Sequence, residues 1–362
     1  AAFQGPALVT HNDAVFADSD LESIQQIGGS QKAGSRSTKT GRFGVGFCSC
    51  YHATDLPSFL SRDFLVVLDP HCAHVSDNRS EPGKMLCFLE NPKTVASSRD
   101  TFEPYRVFGC SLQHSYPGTI FRLPLRTAEQ AAASRISAQP FVGAPARGLL
   151  DAFLELLPEL PLFLTHVHTV TVSVWEAGAA APTLLRSLST RDTKSGAPPQ
   201  RSRVHELVAA RSDLRSLTPS QSISQIDVRV SDSAASPSAA RWLIVQGMGA
   251  GRALEICLDP ACERYGLTPI PWAGVAARVM PTGLATEGRP YCLLPLPSAT
   301  GLPVHVNGFF EVSSNRRDIW HGDDTIGGGR LRSEWNIALL QDVAAPCYVE
   351  LLLYARSLLH GP

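Results

Sequence analysis

The chain has 362 residues, of which 44% are apolar and 18% are charged, and its formal net charge is −1. This composition is ordinary for a globular protein, and the length favours two domains. The nearly neutral charge argues against nucleic acid as a partner, and no uninterrupted apolar run reaches the roughly 18 residues of a membrane span, so we expect neither.

The first part of the sequence predicts short strands and a helix. "ALVTH" (7–11) is a strand candidate, and "DSDLESIQQIG" predicts a helix because apolar residues recur on one side of it. Asp18 is its predicted cap, and the pair Gly28-Gly29 is its predicted end. Further strands are predicted at 64–70, 85–89 and 118–126.

The second part predicts more strands, with helices at both ends. Residues 127–148 are rich in Ala and Ser and predict a linker, so we place a domain boundary near residue 148. A helix is predicted at 149–157, and C-terminal helices are predicted to bend near Pro346. Strands are predicted at 167–176, 226–230, 242–247 and 302–312, and loops at 192–203 and 231–240. The class is therefore α+β.

The cysteines indicate the compartment. There are nine, irregularly spaced, without a Cys-x-x-Cys pair, which favours neither a disulfide framework nor a zinc site. We expect reduced thiols in a cytoplasmic protein, and no metal bound by this chain. Because the first residue is not Met, we expect the sequence to be a piece of a longer chain.

The segment "KTGRFGVGFCSCYHATDLPS" (39–58) is the first candidate for chemistry. It places Gly41, Gly44 and Gly46 just before a helix candidate. Glycines let backbone N–H groups approach a phosphate, and a helix N-terminus adds a positive dipole. However, the segment lacks the Gly-Lys-Ser/Thr ending of a P-loop and follows no strand directly. The residues themselves leave both a tight turn and a phosphate cradle open.

The order of these features resembles the Bergerat (GHKL) ATP-binding fold of heat-shock chaperones of the ninety-kilodalton class, gyrase B, histidine kinases and MutL. Four segments are more closely similar to the chaperone-type (HSP90-like) ATPase repeat domain of sacsin and sacsin-like proteins. They are "GPALVTHNDAVFADSDLESIQQIG", "TKTGRFGVGFCSCYHATDLPSF", "LDPH" and "VNGFFEVSSNRRDIW". The similarity covers most of 1–126 and returns at 302–348.

The resemblance implies a fold for each part. Residues 1–148 would form a Bergerat-type α/β sandwich, with helices on one face of a mixed sheet and without the family's first helix. Residues 149–362 would form a second α+β domain that is similar to the chaperones' middle region and ends in helices.

The resemblance also implies nucleotide contacts. Asn12 would read the adenine amino group, with Asp13 as a substitute, and Thr119 would be the second adenine contact. Gln26 would face the nucleotide and Lys32 its phosphates. The backbone of the glycine box would also face the phosphates, and this box consists of Gly41, Arg42, Phe43, Gly44, Val45, Gly46 and Phe47.

Arg316 and Arg317 are the candidate catalytic residues. They follow a predicted strand of the second domain, where related families place a basic residue that reaches the γ-phosphate. A guanidinium suits this role because it contacts phosphate oxygens in a bidentate way. The residues alone also allow a surface salt-bridge cluster with Asp318 at a turn.

Two departures from the family pattern bear on activity. "NDAVF" (12–16) stands where the wider family has Asp-x-Gly-x-Gly, so both glycines are gone and Phe16 would crowd the purine. The family's catalytic Glu and magnesium-binding Asn lie upstream of this box, and residues 1–10 contain no Glu-x-x-x-Asn. We therefore expect no ATP hydrolysis by this chain, and magnesium with ATP only when an upstream segment is present.

The function that the resemblance implies is an ATP-binding, chaperone-like module in protein folding or quality control. Its expected partners are nucleotide and protein clients or co-chaperones. The alternative is a pseudo-ATPase scaffold that binds proteins without nucleotide turnover. A histidine-kinase or topoisomerase relative is a third reading, and the absence of a basic DNA-binding stripe argues against the latter.

Overall fold

The computed structural model describes residues 4–25, 46–75, 81–196, 219–233, 236–249, 251–282, 286–313, 317–322 and 328–360. The contacts within the chain define two units, which divide between Ala152 and Phe153. Each unit contains its own β-sheet together with helices, so the predicted α+β class is confirmed.

The first unit contains a five-stranded sheet in the order β1-β5-β2-β3-β4. Its strands are β1 (Ala7–Asn12), β2 (Ser58–Arg62), β3 (Phe64–Leu68), β4 (Gly83–Cys87) and β5 (Tyr116–Pro124). All four pairings are antiparallel, so the mixed sheet that the resemblance implied is wrong for these strands. The antiparallel pairing of β2 and β3 has a local cause. Arg62 has a φ of 56°, and the chain reverses direction at Asp63 between the two strands.

The helical segments of the first unit are short. They are α1 (Asp18–Gln25), a 3₁₀ turn (Phe47–His52), α2 (Pro92–Ser97), α3 (Arg99–Phe102), a 3₁₀ turn (Glu103–Tyr105), α4 (Ala128–Ala133) and α5 (Ala144–Leu156). The predicted capping role of Asp18 is wrong. The Asp20 carboxylate accepts from the Ala17 N–H at 3.1 Å, and Asp18 instead pairs with Arg62.

The linker predicted at 127–148 is also wrong in part, because it contains α4 and the beginning of α5. The Thr127 hydroxyl accepts from the Gln130 N–H, and the Gln130 side chain accepts from the Thr127 N–H. This capping box and the alanines that follow it stabilise a helix. The Ala- and Ser-rich composition predicted a linker, whereas the spacing of Thr127 and Gln130 was the better indicator because it is typical of a helix start.

Apolar side chains and helices cover both faces of the first sheet, so the expectation of helices on one face is wrong. On one face Leu60 and Ile120 pack against Phe102 of α3. On the other face Phe59 and Phe121 pack against α1. This division follows from the strand period of two, which sends neighbouring residues to opposite faces.

The second unit contains an eight-stranded sheet in the order β12-β11-β13-β10-β9-β8-β7-β6, antiparallel except between β11 and β13. Its strands are β6 (Thr169–Val174), β7 (Thr183–Asp192), β8 (Ser220–Asp232), β9 (Ser238–Met248), β10 (Trp272–Met280), β11 (Pro290–Cys292), β12 (Leu294–Pro295) and β13 (His305–Gly308). The loop predicted at 231–240 is shorter than expected, because β8 and β9 reach into it and pair as a hairpin.

The helices of the second unit are α6 (Gly251–Cys257), α7 (Pro260–Arg264), α8 (Gly329–Leu339) and α9 (Ala345–His360), with a π turn (Leu340–Ala344) and a 3₁₀ turn (Leu160–Leu162). The irregularity that was predicted near Pro346 is the π turn just before it, because proline has no N–H for the carbonyl four residues earlier. By length and hydropathy alone, Gly329–Leu358 would suffice to cross a membrane. Its residues Trp335, Leu339 and Cys347 are buried in the protein core.

Candidate functional site

Asn12 and Thr119, the two predicted adenine contacts, lie side by side at the end of the first sheet. They are direct partners in the antiparallel register of β1 and β5. Residues paired in this way point to the same face of a sheet, with their Cβ atoms about 5 Å apart. Thr119 is 1% exposed, whereas Asn12 and its neighbour Asp13 are exposed.

The hydroxyl of Thr119 is already fully engaged within the chain. It donates to the Ala14 carbonyl at 2.7 Å and shares a hydrogen bond with the Ser61 hydroxyl at 2.9 Å. The Ser61 oxygen in turn accepts from the Phe16 N–H at 3.0 Å. These bonds hold residues 13–16, which we call the closing loop, against the ends of β2 and β5.

The side chain of Phe16 lies on an apolar floor beside these hydroxyls. Its ring stacks on Phe59 at 4.7 Å between centroids and meets Phe121 edge-on at 6.0 Å. Phe59 is 0% exposed, so the floor is part of the core. Phe47, the last residue of the glycine box, also contacts Phe121, at 6.1 Å.

Arg62 fixes the far end of the closing loop. Its guanidinium donates to the Asp18 carboxylate at 2.6 Å and reaches the Phe16 carbonyl at 3.5 Å. The register of β2 against β5 shifts between Ser61 and Arg62, which turns the arginine away from the regular ladder. The hydrogen bond to Asp18 raises the pKa of Arg62.

The described part of the glycine box is Gly46 and Phe47, where the 3₁₀ turn begins. Gly46 has a right-handed φ of −56°, and an added Cβ would have no neighbour within 4 Å. Glycine is therefore not required at this position by the local structure. Burial raises the pKa of Cys50 to about 12, so the Cys50 thiol is neutral near pH 7.

The end of the 3₁₀ turn is anchored by Arg126, whose side chain is 0% exposed. It donates to the Tyr51 carbonyl at 2.7 Å and to the His52 carbonyl at 3.0 Å. A third bond joins it to the Asp55 carboxylate at 2.7 Å. The exit from the glycine box is thus held by a buried ion pair.

Arg317 lies at an exposed turn of the second unit. The turn is closed by the bridge between Val312 and Ile319 and by the Ser313 N–H, which donates to the Asp318 carbonyl at 2.9 Å. Its role as a phosphate contact remains a prediction. The other predicted site residues lie outside the described residues, and they are Gln26, Lys32, Gly41, Arg42, Phe43, Gly44, Val45 and Arg316.

Ser61 and Arg62 were not identified from the sequence. Both lie on β2, which was not predicted, because "SFLSR" does not alternate polar and apolar residues and its first four residues are all buried. A prediction of β2 would have placed Ser61 on the same face as Phe59. The pairing of Ser61 with Thr119 depends on long-range register and had no local signal.

The first unit is therefore an antiparallel sheet with a polar pair at one end, over which its own loop is folded. The family model described as Sacsin domain matches residues 1–187, more than half of the 362. Human sacsin is 33% identical over 365 residues, which cover 99% of this chain. The chain belongs to the sacsin family. It spans 8% of the length of human sacsin.

Proposed function

We propose that the chain is a chaperone-like module of a sacsin-type protein, which binds protein clients or co-chaperones in quality control and does so without nucleotide turnover. Membership of the sacsin family supports the first part of this proposal. The second part rests on a single observation, the closing loop folded over Thr119.

The residues present do not fit the adenine of ATP while this loop is closed. The resemblance to Bergerat-type ATPases would require the Thr119 hydroxyl, the Asn12 carbonyl and a flat space beside them. The hydroxyl donates to the Ala14 backbone carbonyl, and the side-chain amide oxygen of Asn12 accepts from the Ala14 N–H at 3.1 Å. The ring of Phe16 covers the floor.

A second candidate function is ATP binding, with the remainder of the predicted site as its contacts. The observation in its favour is that Asn12 and Thr119 are register partners and share a face with Phe47. Displacement of residues 13–16 would free both polar groups. In this alternative, Lys32 and Arg317 would retain their phosphate-contacting roles.

Two measurements on the whole chain separate these functions. Aggregation of a heat-labile model enzyme is followed by light scattering, with and without ATP and magnesium, and calorimetry measures ATP binding directly. We expect suppression of aggregation that is independent of nucleotide and no heat of ATP binding. Binding of ATP by the unaltered chain would favour the second candidate, and failure to suppress aggregation would exclude the first.

A pair of variants then tests the closing loop itself. Phe16→Ala removes the ring from the floor, whereas Leu21→Ala removes packing from the same apolar cluster on α1. Both changes lower stability through lost apolar contacts. Only Phe16→Ala should create measurable affinity for adenine nucleotides, and equal behaviour of the two variants would contradict the role given to the loop.

A further inference from the structure

No described strand pairs with the outer edge of the first sheet. Strand β1 (Ala7–Asn12) is the terminal strand in the sheet order, and β5 is the strand that pairs with it among the described residues. All but the first of its residues are exposed, including Leu8 and Val9 at 40% and 37%. An edge strand of this kind presents a row of backbone N–H and C=O groups to which a further strand can add.

An aromatic pair lies beside this edge. Phe108 is 56% exposed, and its ring stacks on His11 at 4.8 Å between centroids with an interplanar angle of 15°. Phe108 has a φ of 52°, which is unfavourable for a side chain of this size. The Tyr116 hydroxyl holds this conformation by donating to the Phe108 carbonyl at 2.9 Å. The loop thus presents an aromatic ring to solvent at a cost in backbone strain.

A buried cation lies on the same face. Arg122 is the register partner of Val9 on β5 and is 6% exposed, yet no described carboxylate pairs with it. Burial lowers the pKa of Arg122, and Tyr105 opposes this effect. A buried charge without a counterion is unfavourable, and an anion supplied from outside the chain would relieve it.

We propose that the β1 edge, Phe108 and Arg122 form a docking site for an extended, acidic segment of a protein partner, added as a strand to the sheet. The inference rests on the proposed function as a protein-binding module and names the class of segment bound. Neighbouring strands lie about 4.8 Å apart, so a residue opposite Val9 would be about 10 Å from Arg122 across β1. A glutamate and an arginine side chain together span this distance, and an apolar neighbour two residues away would pack on Phe108.

The probe is a short fluorescein-labelled peptide that alternates valine and glutamate around one phenylalanine, and its binding to the whole chain is followed by anisotropy. A matched peptide carries glutamine in place of each glutamate. We expect the acidic peptide to bind about tenfold or more tightly than its neutral match, because the ion pair is partly desolvated. Equal affinity would overturn the role of Arg122.

Two variants separate docking from folding. Phe108→Gly places the residue that tolerates positive φ at a strained position, so it should preserve the unfolding midpoint while weakening peptide binding about tenfold. Arg122→Met removes a buried charge that pairs with no described carboxylate, so it should preserve or raise the midpoint while abolishing the preference for the acidic peptide. The matched control is Met85→Ser on β4, the opposite edge strand, where Met85 is 49% exposed.

The outcomes distinguish this inference from the proposed function. A chain that suppresses aggregation of the model enzyme but does not bind the acidic peptide retains the proposed function and loses the docking site. If the chain forms a dimer through β1 and the peptide does not compete, the edge belongs to a second copy and the proposal is wrong. Unaltered binding by Phe108→Gly and Arg122→Met would equally overturn it.

Discussion

Replacement of Arg126 by methionine tests how strongly the chain after the glycine box is fixed. In the native chain this arginine makes five contacts that require its charge or its N–H groups. They join it to Asp55, Tyr51, His52 and Gln139, at distances of up to 3.3 Å. The variant leaves the Asp55 carboxylate, which is 14% exposed, without its main counterion.

The expected loss in unfolding free energy is about 3–5 kcal/mol, the usual cost of breaking a buried ion pair from one side. The carbonyls of Tyr51, His52 and Gln139 lose a donor as well. Because His52 and Gln139 are exposed and water can replace the donor there, we expect the lower half of this range. Urea unfolding followed by tryptophan fluorescence measures the loss, and the double variant Arg126→Met/Asp55→Asn should recover part of it. A loss below about 1 kcal/mol, or a double variant weaker than the single one, would refute the reasoning.

Two further predictions concern the second unit. Gly308→Ala should lower the unfolding free energy measured by urea titration by about 1–3 kcal/mol, because the added Cβ would lie 2.9 Å from Leu339 and 3.0 Å from Phe310. The control is Gly148→Ala in α5, which has open space around it and should be neutral or stabilising in the same titration. Burial lowers the pKa of His305 to about 4. The pKa of this histidine in the unfolded chain is about 6.5, so the unfolded chain binds the proton first as the pH falls. The unfolding free energy should therefore fall by about 3 kcal/mol as the pH drops from 6.5 to 4. A His305→Asn variant that loses stability equally steeply would contradict this.

The strands of the first sheet were predictable where a local pattern sufficed. β1, β3 and β5 have apolar or alternating runs, and the structure confirms them within two residues. β4 begins two residues earlier than predicted, because its pairing with β3 recruits Gly83 and Lys84, which have no strand propensity of their own. Tertiary pairing, and not local sequence, sets this boundary.

The sequence allowed us to predict the polar pair of the candidate site but not the closing loop that covers it. The resemblance placed Asn12 and Thr119 in one site, and the two residues are register partners of β1 and β5. Their contact with a nucleotide remains a prediction. It also indicated that Phe16 would crowd the purine side. The bonds of Thr119 to Ala14 and of Ser61 to Phe16 depend on how four loop residues fold back, and no periodicity encodes such a conformation.

The two surfaces proposed on β1 are separable because of the strand period. Asn12 lies on the face of Thr119 and the closing loop, whereas Val9 and His11 lie on the opposite face with Phe108. A substitution at Phe16 therefore changes the nucleotide-related face without touching the docking face, and Phe108→Gly does the reverse. A strand added at the edge would nevertheless restrain the backbone of Asn12, from which the closing loop starts. A docked segment would then weaken the binding of any ligand that requires displacement of the closing loop. Because coupling between sites is reciprocal, that ligand would weaken the binding of the segment by the same factor.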